Sequence, residues 1–172
     1  MSVMKSSLAK IEIVYRERGA DFFRLALART GDPEQARDAV QEGFAHAIRG
    51  CGSYRATGSL EAWVARCVIN AAHDAARAGN RSPAPVGDRV EAGNGRRNTA
   101  EMDPSADPVA EIVREAVRRL PQRQRDALFL RHYLDFDYAA IAEALGIEVG
   151  TVSATLHAAR AAIADDLQEV AR

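Results

Sequence analysis

The first 78 residues carry apolar side chains at steps of three and four positions, the spacing of amphipathic helices. The strongest start signal is Asp32, a capping residue followed by Pro33 at the first helical position and Gln35 at the capping-box position. Gly50 and Gly52 mark the end of this helix. Its predicted buried stripe consists of Ala36, Ala39, Val40, Gly43, Phe44, Ala47 and Ile48.

Two further helices are predicted in the same block. Asp21 can cap one that passes through Phe22 and Leu25 and stops at Gly31. Ser59 can cap another, which follows a polar loop. The block shows no strand-like alternation with turn residues, so it is predicted to be all-helical. The stripe of the helix after Ser59 consists of Leu60, Trp63, Val64, Cys67, Val68, Ala71 and Ala75.

The helical pattern stops between residues 79 and 108. This stretch holds four of the six prolines, repeated Gly and Asn, and almost no periodic apolar residues. A structureless stretch of this length is unusual inside one compact domain. We therefore predict a flexible linker over 79–108 that joins two small domains, residues 1–78 and 109–172.

The second block begins with a clean helical stripe that Pro121 closes, and a second helix is predicted from about Gln122 to Tyr133. The stripe of the first of these helices consists of Val109, Ile112, Val113, Ala116, Val117 and Leu120.

The end of the chain predicts a helix-turn-helix. Asp137 can cap a short helix that Gly146 stops, and a last helix begins near Val149 with Val152 facing inward. A short helix, a tight glycine turn and a second helix are the parts of this motif. Spacing alone leaves an ordinary helical hairpin open as the alternative.

Composition and charge narrow the range of functions. The chain is 47% hydrophobic and 27% charged, as globular proteins are, and lacks any apolar run of about 18 residues or a signal-peptide stretch. We therefore expect a cytoplasmic protein without membrane insertion. Residues 1–78 carry 11 Lys+Arg against 9 Asp+Glu, and residues 109–172 carry 8 against 10. Any contact with DNA must be local, or supported by a partner that supplies most of the affinity.

Nothing in the sequence indicates catalysis, a metal or a cofactor. Cys51 and Cys67 form no CxxC pair and are expected to be small apolar fillers. The four histidines make no paired metal motif, and no phosphate-binding glycine loop precedes a helix. No catalytic residue, metal site or cofactor is therefore predicted, although a helical enzyme stays open as an alternative.

Both blocks resemble a known family, the extracytoplasmic-function (ECF) sigma factors of bacterial RNA polymerase. The resemblance to their domain 2 is carried by GDPEQARDAVQEGFAHAIRG and GSLEAWVARCVINAAHDAAR. The resemblance to their domain 4 is carried by LPQRQRDALFLRHYLDFDYAAIAEALGIEVGTVSATLHAAR. It implies an all-α chain of two helical domains that binds the polymerase core and directs promoter-specific transcription initiation.

The resemblance also implies roles for single residues of the first block. Asp38, Gln41 and Glu42 match the family's motif for gripping the coiled-coil clamp of the polymerase's large subunit, and they fall off the apolar stripe. The loop 53–59 and the helix after it correspond to the part that reads the minus-ten promoter element. Trp63 lies on the apolar stripe and is interpreted as a core residue. The candidates for minus-ten DNA on this helix are Arg66, Asn70 and Arg77.

In the second block, the start of the last helix is expected to enter the major groove at the minus-thirty-five element. Family members commonly carry basic residues where this chain has Ser153, Thr155 and Ala158. Recognition of this element is therefore expected to be weak, or to rest on hydroxyl groups and on arginines of the preceding helices. The candidate residues are Arg123, Arg125, Arg131, Thr151, Ser153, Thr155 and Arg160.

The expected partners are the RNA polymerase core, promoter DNA and an anti-sigma factor, a separate inhibitory protein that the family commonly uses. The alternative is a stand-alone helix-turn-helix regulator that binds DNA without joining polymerase. That alternative leaves the match at Asp38–Glu42 and the helix of Trp63 unexplained.

Overall fold

The computed structural model describes residues 2–52, 54, 58–79 and 108–170. Within these residues there are seven α-helices and no strand, which confirms the all-α prediction. The predicted linker lies outside the described residues except for its two ends, which close the third helix and open the fourth. The helices are α1 (Ser2–Thr30), α2 (Pro33–Gly50), α3 (Leu60–Gly79), α4 (Pro108–Arg119), α5 (Gln122–His132), α6 (Tyr138–Leu145) and α7 (Val149–Val170).

The first helix is much longer than its sequence pattern predicted. Asp21 lies inside α1, where its carboxylate pairs with Arg24 at 3.1 Å and with Arg18 at 3.4 Å. The prediction that a helix starts at Asp21 was therefore wrong. The helix extends further toward the N-terminus because Ile11 and Val14 are buried in the core and continue its apolar stripe.

The turn between α1 and α2 has the predicted glycine stop and aspartate cap, but the N–H of Asp32 donates to Oγ1 of Thr30 at 3.4 Å instead of to Gln35, as a capping box would require. Gly31 has a φ of +71°, a left-handed conformation that glycine adopts without strain, and its N–H donates to the carbonyl of Leu27 at 2.9 Å. The N–H of Gln35 donates to Oδ1 of Asp32 at 2.8 Å. Asp32 therefore caps α2 and satisfies one of the N–H groups that a helix start leaves unpaired.

Helices α1, α2 and α3 form the N-terminal bundle. The ring of Phe22 in α1 meets that of Phe44 in α2 edge to face, with centroids 5.4 Å apart. Ile48 was predicted to be buried, and this was wrong, because 49% of its surface is exposed. The neighbouring Ala47 is fully buried and takes the core position of that helical turn.

The buried side of α3 is wider than predicted. Val64 and Val68 are buried as expected, but Ala65 and Ile69, outside the predicted stripe, are buried as well. Trp63 is half-buried. The reason is that α3 packs against α1 and α2 and also against α6, so two sides of one helix lose contact with water.

Helices α6 and α7 form the predicted helix-turn-helix. The N–H of Ala140 donates to Oδ1 of the capping Asp137 at 2.7 Å, and Gly146 makes the turn with a φ of +65°. The two helices meet at 96°, inside the range of roughly 90–120° for this motif. Val152 is fully buried and anchors α7. In the described part of the chain no single helix has the length and apolar composition of a membrane span, and α6 with α7 passes that test only as a bent pair.

The N-terminal bundle and the C-terminal helices α4–α7 share one hydrophobic core. Val64 and Val68 of α3 belong to the same buried cluster as Leu130 of α5 and Ile141 of α6. Helix α3 packs against α6, and α1 touches α5. The two halves are therefore docked directly on each other.

Candidate polymerase and nucleic-acid interfaces

The outer face of α2 carries the three residues for which a polymerase contact is expected. Asp38, Gln41 and Glu42 are all exposed, on the side of the helix opposite Gly43 and Phe44. Helical geometry brings them together because they are three and four residues apart. The structure thus leaves this face open to solvent, and the role of the three residues stays a prediction.

Glu42 has two neighbours on its own helix. Its Oε1 lies 2.7 Å from Nη2 of Arg49 and 2.7 Å from Nε2 of His46. The hydrogen bond from Arg49 is the largest cause that lowers the pKa of the Glu42 carboxyl below its ordinary value. All three side chains are exposed, so these pairs stabilise the fold little and can be exchanged for contacts with a partner.

The exposure of two apolar residues, one on this face of α2 and one on α1, was not predicted from the sequence. Ile48 lies two helical turns beyond Gln41 on the same exposed side of α2. Tyr15 of α1 is 53% exposed and packs edge-on against Phe44, with ring centroids 5.0 Å apart. The regular apolar spacing made Ile48 resemble a core residue, and only the packing of Ala47 distinguishes the two. Charge next to exposed apolar surface suits a protein partner.

The minus-ten candidates on α3 form one exposed stripe. Arg66, Asn70 and Arg77 are all exposed, and their spacing of four and seven residues places them on the same side of the helix. Of the loop assigned to the same element, Ser53 and residues 55–57 lie outside the described residues.

The start of α3 is held by its own short-range contacts. The N–H of Ala62 donates to Oγ of Ser59 at 3.3 Å, which confirms Ser59 as the cap. The hydroxyl of Tyr54 donates to the carbonyl of Gly58 at 2.6 Å, and the Tyr54 ring lies 5.3 Å from the ring of Trp63. Burial is the largest cause that raises the pKa of Tyr54. Trp63 thus has a packing role, as expected for a core residue, although part of its ring stays in contact with water.

Helix α7, the second helix of the helix-turn-helix, presents small polar side chains near its start. Thr151, Ser153 and Arg160 are exposed. Thr155 is half-buried, and its hydroxyl donates to the carbonyl of Thr151 at 2.7 Å. Val149, the first residue of α7, is 48% exposed and was not among the predicted contacts. Only the position of Val149, directly after the turn between α6 and α7, could have indicated that its side chain is exposed.

The three arginines of α5 differ in their exposure and in the hydrogen bonds that they already make. Arg123 is exposed. Arg125 is half-buried and donates to Oε1 of Gln122 at 2.6 Å, and Arg131 is half-buried and donates to the carbonyl of Phe136 at 3.0 Å. Arg125 and Arg131 are therefore engaged in local structure, so a phosphate contact would require them to exchange these bonds.

The helix-turn-helix lies against the minus-ten stripe. A Cβ at Gly146 would stand 3.5 Å from Nη2 of Arg66, so the turn before α7 lies beside this arginine. The groove between the two elements is lined by Arg66, Ala142, Glu143, Gly146, Ile147 and Glu148.

The two cysteines are free thiols. Cys51 is buried and Cys67 is half-buried, where burial raises the pKa of its thiol. Both therefore have the environment of small packing residues. Among the described residues there is no group of three His, Cys, Asp or Glu side chains that could hold a metal ion.

Comparison with known proteins covers both halves of the chain. Sigma-70 region 2 matches residues 14–82, and Sigma-70 region 4 matches residues 110–163. The ECF RNA polymerase sigma factor SigM of Mycobacterium tuberculosis is 31% identical over 157 residues, which cover 88% of this chain and 74% of SigM. The RNA polymerase sigma-H factor of Pseudomonas aeruginosa is 31% identical over 150 residues, which cover 82% of this chain and 77% of that protein.

Two solved structures share the fold. CnrH in complex with the cytosolic domain of CnrY gives a TM-score of 0.68 at 17% identity and covers 98% of this chain and 94% of that chain. The sigma factor RpoE of Bartonella quintana, in complex with the anti-sigma factor NepR, gives 0.63 at 19% and covers 91% and 98%. Two sigma-70 regions in order, with relatives 31% identical over most of both chains, show that this chain belongs to the ECF RNA polymerase sigma factors.

Proposed function

We propose that this chain binds the core of bacterial RNA polymerase and directs promoter-specific initiation of transcription. The observation that carries this proposal is the presence of sigma-70 region 2 and sigma-70 region 4 in one chain, the latter containing a helix-turn-helix. The chain itself performs no catalysis, and polymerase supplies the chemistry. It acts in the bacterial cytoplasm, where the polymerase works.

The polymerase-binding surface is the outer face of α2. Asp38, Gln41 and Glu42 orient the complex, because complementary charge speeds association and fixes register. Exposed ion pairs alone contribute little affinity, since water solvates both partners well. Ile48 on the same face adds apolar area that becomes desolvated on binding.

The exposed stripe of α3 contacts the minus-ten element. The amide of Asn70 can hydrogen-bond an unpaired base, and the guanidinium groups of Arg66 and Arg77 can neutralise phosphates of the separated strand. Eleven helical residues separate the two arginines, or roughly 16 Å along the axis. The stripe is therefore long enough to follow several nucleotides.

The start of α7 reads the minus-thirty-five element from the major groove. Thr151, Ser153 and Thr155 offer hydroxyl groups to base edges, and Val149 offers an apolar contact for a thymine methyl group. Thr155 must give up its bond to the carbonyl of Thr151, or share it, to make such a contact.

Few positively charged side chains support the contact with the minus-thirty-five element. Arg123 and Arg160 are exposed and suited to phosphates, whereas Arg125 and Arg131 already hold local structure. Fewer phosphate contacts mean lower affinity and a shallower dependence on salt. The C-terminal helices therefore contribute selectivity more than affinity, and most of the affinity comes from polymerase.

An anti-sigma factor is the further partner that we expect. The fold is shared with Bartonella quintana RpoE, whose structure was solved in complex with the anti-sigma factor NepR. A separate protein of this class would cover the polymerase- and DNA-binding faces of this chain until a signal releases it. Finding the chain unbound and constitutively active in its own cells would contradict this expectation.

Reconstituted transcription tests the proposed function. The purified chain is mixed with bacterial core polymerase and fragments of its own genome, and start-site-specific RNA is mapped. We expect transcripts that require both components and share upstream sequence. The matched control carries Asp38→Lys and Glu42→Lys, which should lose these transcripts while remaining folded.

The same experiment distinguishes a sigma factor from the alternative function, a stand-alone regulator. A stand-alone helix-turn-helix regulator would bind duplex DNA without associating with core polymerase. That result would refute the assignment of α2 as a polymerase-binding helix.

A further inference from the structure

The docked halves are joined by a buried ion pair. Nη1 of Arg29, in the last turn of α1, lies 2.7 Å from Oδ2 of Asp126 in α5, and the two side chains are 13% and 5% exposed. The other carboxylate oxygen, Oδ1, accepts a hydrogen bond from Nε2 of Gln122 at 2.9 Å. Within the described residues, Asp126 is the one buried charged side chain. Removal of either partner would leave the other charge buried and uncompensated, which is strongly unfavourable.

Two weaker polar contacts align the same halves. Oε2 of Glu143 in α6 accepts a hydrogen bond at 3.1 Å from the N–H of Ser59, the cap of α3. Gly58 leaves room for this carboxylate, because a Cβ there would collide with it. Nη2 of Arg18 donates to the carbonyl of Tyr133 at 3.4 Å. Together with the shared apolar core, these contacts define one specific arrangement of the two halves.

This arrangement is incompatible with simultaneous reading of both promoter elements. The minus-ten and minus-thirty-five elements are about 25 base pairs apart, or roughly 85 Å of B-form DNA at about 3.4 Å per base pair. A compact chain of this length is roughly 40 Å across. In the docked chain, Arg66 of the minus-ten stripe lines the same groove as Gly146, at the turn before the recognition helix. The two reading surfaces must therefore separate before both can lie on DNA.

We infer that the docked arrangement is a closed, autoinhibited state of the chain, held by the shared apolar core and fixed by the interdomain ion pair between Arg29 and Asp126. Promoter recognition requires this pair to break, so that the C-terminal helices leave α3. The inhibitory consequence rests on the proposed function, whereas the docking itself does not. The closed state thus restrains the chain without any second protein.

Charge reversal in the full chain tests this inference. Arg29→Glu and Asp126→Arg each place like charges together, and the double variant restores a pair of opposite sign. The matched control is Arg24→Glu, an exposed position on α1 whose ion pair with Asp21 lies within the same helix. Small-angle X-ray scattering gives the radius of gyration, roughly 16 Å for a compact chain of this length. Single-round transcription with limiting core polymerase gives the activity.

We expect each single variant to expand and to initiate several-fold more often than the parent. The double variant should be as compact as the parent and should initiate as rarely. Arg24→Glu should not differ from the parent in either measurement. Because Arg29→Glu could unfold α1, Glu143→Arg provides a second route. It removes the acceptor for Ser59 at the margin of the interface and places a cation near Arg66, without altering the core.

Each contrary outcome refutes a different part of the inference. Single variants and Glu143→Arg that stay as compact as the parent would show that these contacts do not hold the halves together. Expanded variants with no gain in initiation would show that docking does not inhibit. If the parent fails to support transcription at all, the proposed function fails, while the scattering data still decide whether the ion pair holds the docked state.

Discussion

Gly43 of α2 lies directly against Val68 of α3, so closely that a Cβ at residue 43 would stand 2.6 Å from the Cα of Val68. The obstruction is backbone and cannot rotate away. A glycine inside a helix costs about 1 kcal/mol relative to alanine. At this position that cost is offset by close packing of the two helices that carry the proposed polymerase and minus-ten faces.

Gly43→Ala should therefore lower the free energy of unfolding by about 1–3 kcal/mol, because overpacking outweighs the gain in helix propensity. Chemical denaturation followed by circular dichroism measures this. The matched control is Gly19→Ala in α1, where no atom lies within 4 Å of the added Cβ. That variant should gain about 0.5–1 kcal/mol. A stabilised Gly43→Ala chain would disprove the close contact.

Reversing the charges of Asp38 and Glu42 to Lys should weaken binding to core polymerase without loss of helical content, since both side chains are exposed. The effect should shrink at high salt, because exposed charges are screened. Titration of labelled chain with core polymerase measures the affinity. Glu12→Lys, at an exposed position of α1 paired with Arg16, is the control. Loss of helical content in the double variant would instead place these residues in the core.

Ile48→Ser should reduce polymerase affinity roughly tenfold, about 1.4 kcal/mol, as expected for an aliphatic side chain that is desolvated in an interface. Its stability should stay within about 0.5 kcal/mol of the parent, because half of the side chain is already in water. Ile69→Ser, at a buried position of α3, should instead unfold the bundle. Unchanged polymerase affinity of Ile48→Ser would remove this residue from the interface.

Ser153→Arg should strengthen binding to a minus-thirty-five duplex and steepen its salt dependence. Each added phosphate contact changes the slope of log K against log salt concentration by about −0.9. Anisotropy titrations at several salt concentrations measure this slope. Ala161→Arg, an exposed position two turns further along α7, is the control and should leave the slope unchanged. Equal slopes for both variants would mean that position 153 does not face the DNA backbone.

The carboxyl of Asp126 should titrate above its ordinary value in the docked chain. Burial raises its pKa, although Arg29, Gln122 and the charge of Arg125 act in the opposite direction. In an open chain the carboxyl would be exposed, and its pKa would return to its ordinary value. The docked state therefore binds this proton more tightly. Relative to the open chain, the protonated carboxyl therefore favours docking below its ordinary pKa, and this contribution is lost as the pH rises through the raised value. Above that value, Arg29 offsets part of the cost of burying the carboxylate, which is why its removal should open the chain.

Carbon-detected NMR of the Asp126 carboxyl measures this titration directly. In the Arg29→Glu variant, the direction in which the pKa of Asp126 changes shows whether the chain is open or still docked. If the variant opens the chain, the pKa of Asp126 should fall to its ordinary range. If the chain stays docked without its cation, that pKa should rise further, because an opposite charge is lost.

Local signals in the sequence were sufficient for much of the fold. Asp32, Ser59 and Asp137 are capping residues directly before apolar stripes, and all three accept the expected backbone hydrogen bond. Gly31 and Gly146 stop their helices with positive φ values. These features depend on a few neighbouring residues, so a pattern only a few positions long contains the information.

The errors arose where burial depends on distant parts of the chain. The extension of α1 before Asp21 depends on packing of Ile11 and Val14 against other helices, and no capping signal marks it. The second buried side of α3 depends on contact with α6. Arg29 and Asp126 are 97 positions apart, and each resembles an ordinary surface charge in the sequence. Neither their pairing nor the docked arrangement could therefore be inferred from local patterns.

The core shared by α3, α5 and α6 has a consequence for the lifetime of the protein. Each half alone is a small domain, and small domains bury a lower fraction of their surface and are only marginally stable. Separation of the halves would give up the buried area between them, so an open chain that is not bound to polymerase is the less stable form. Cellular proteases act on locally unfolded chains. A chain that opens without binding polymerase would therefore be degraded faster than a docked one, so the docked state would also protect unused molecules of the protein.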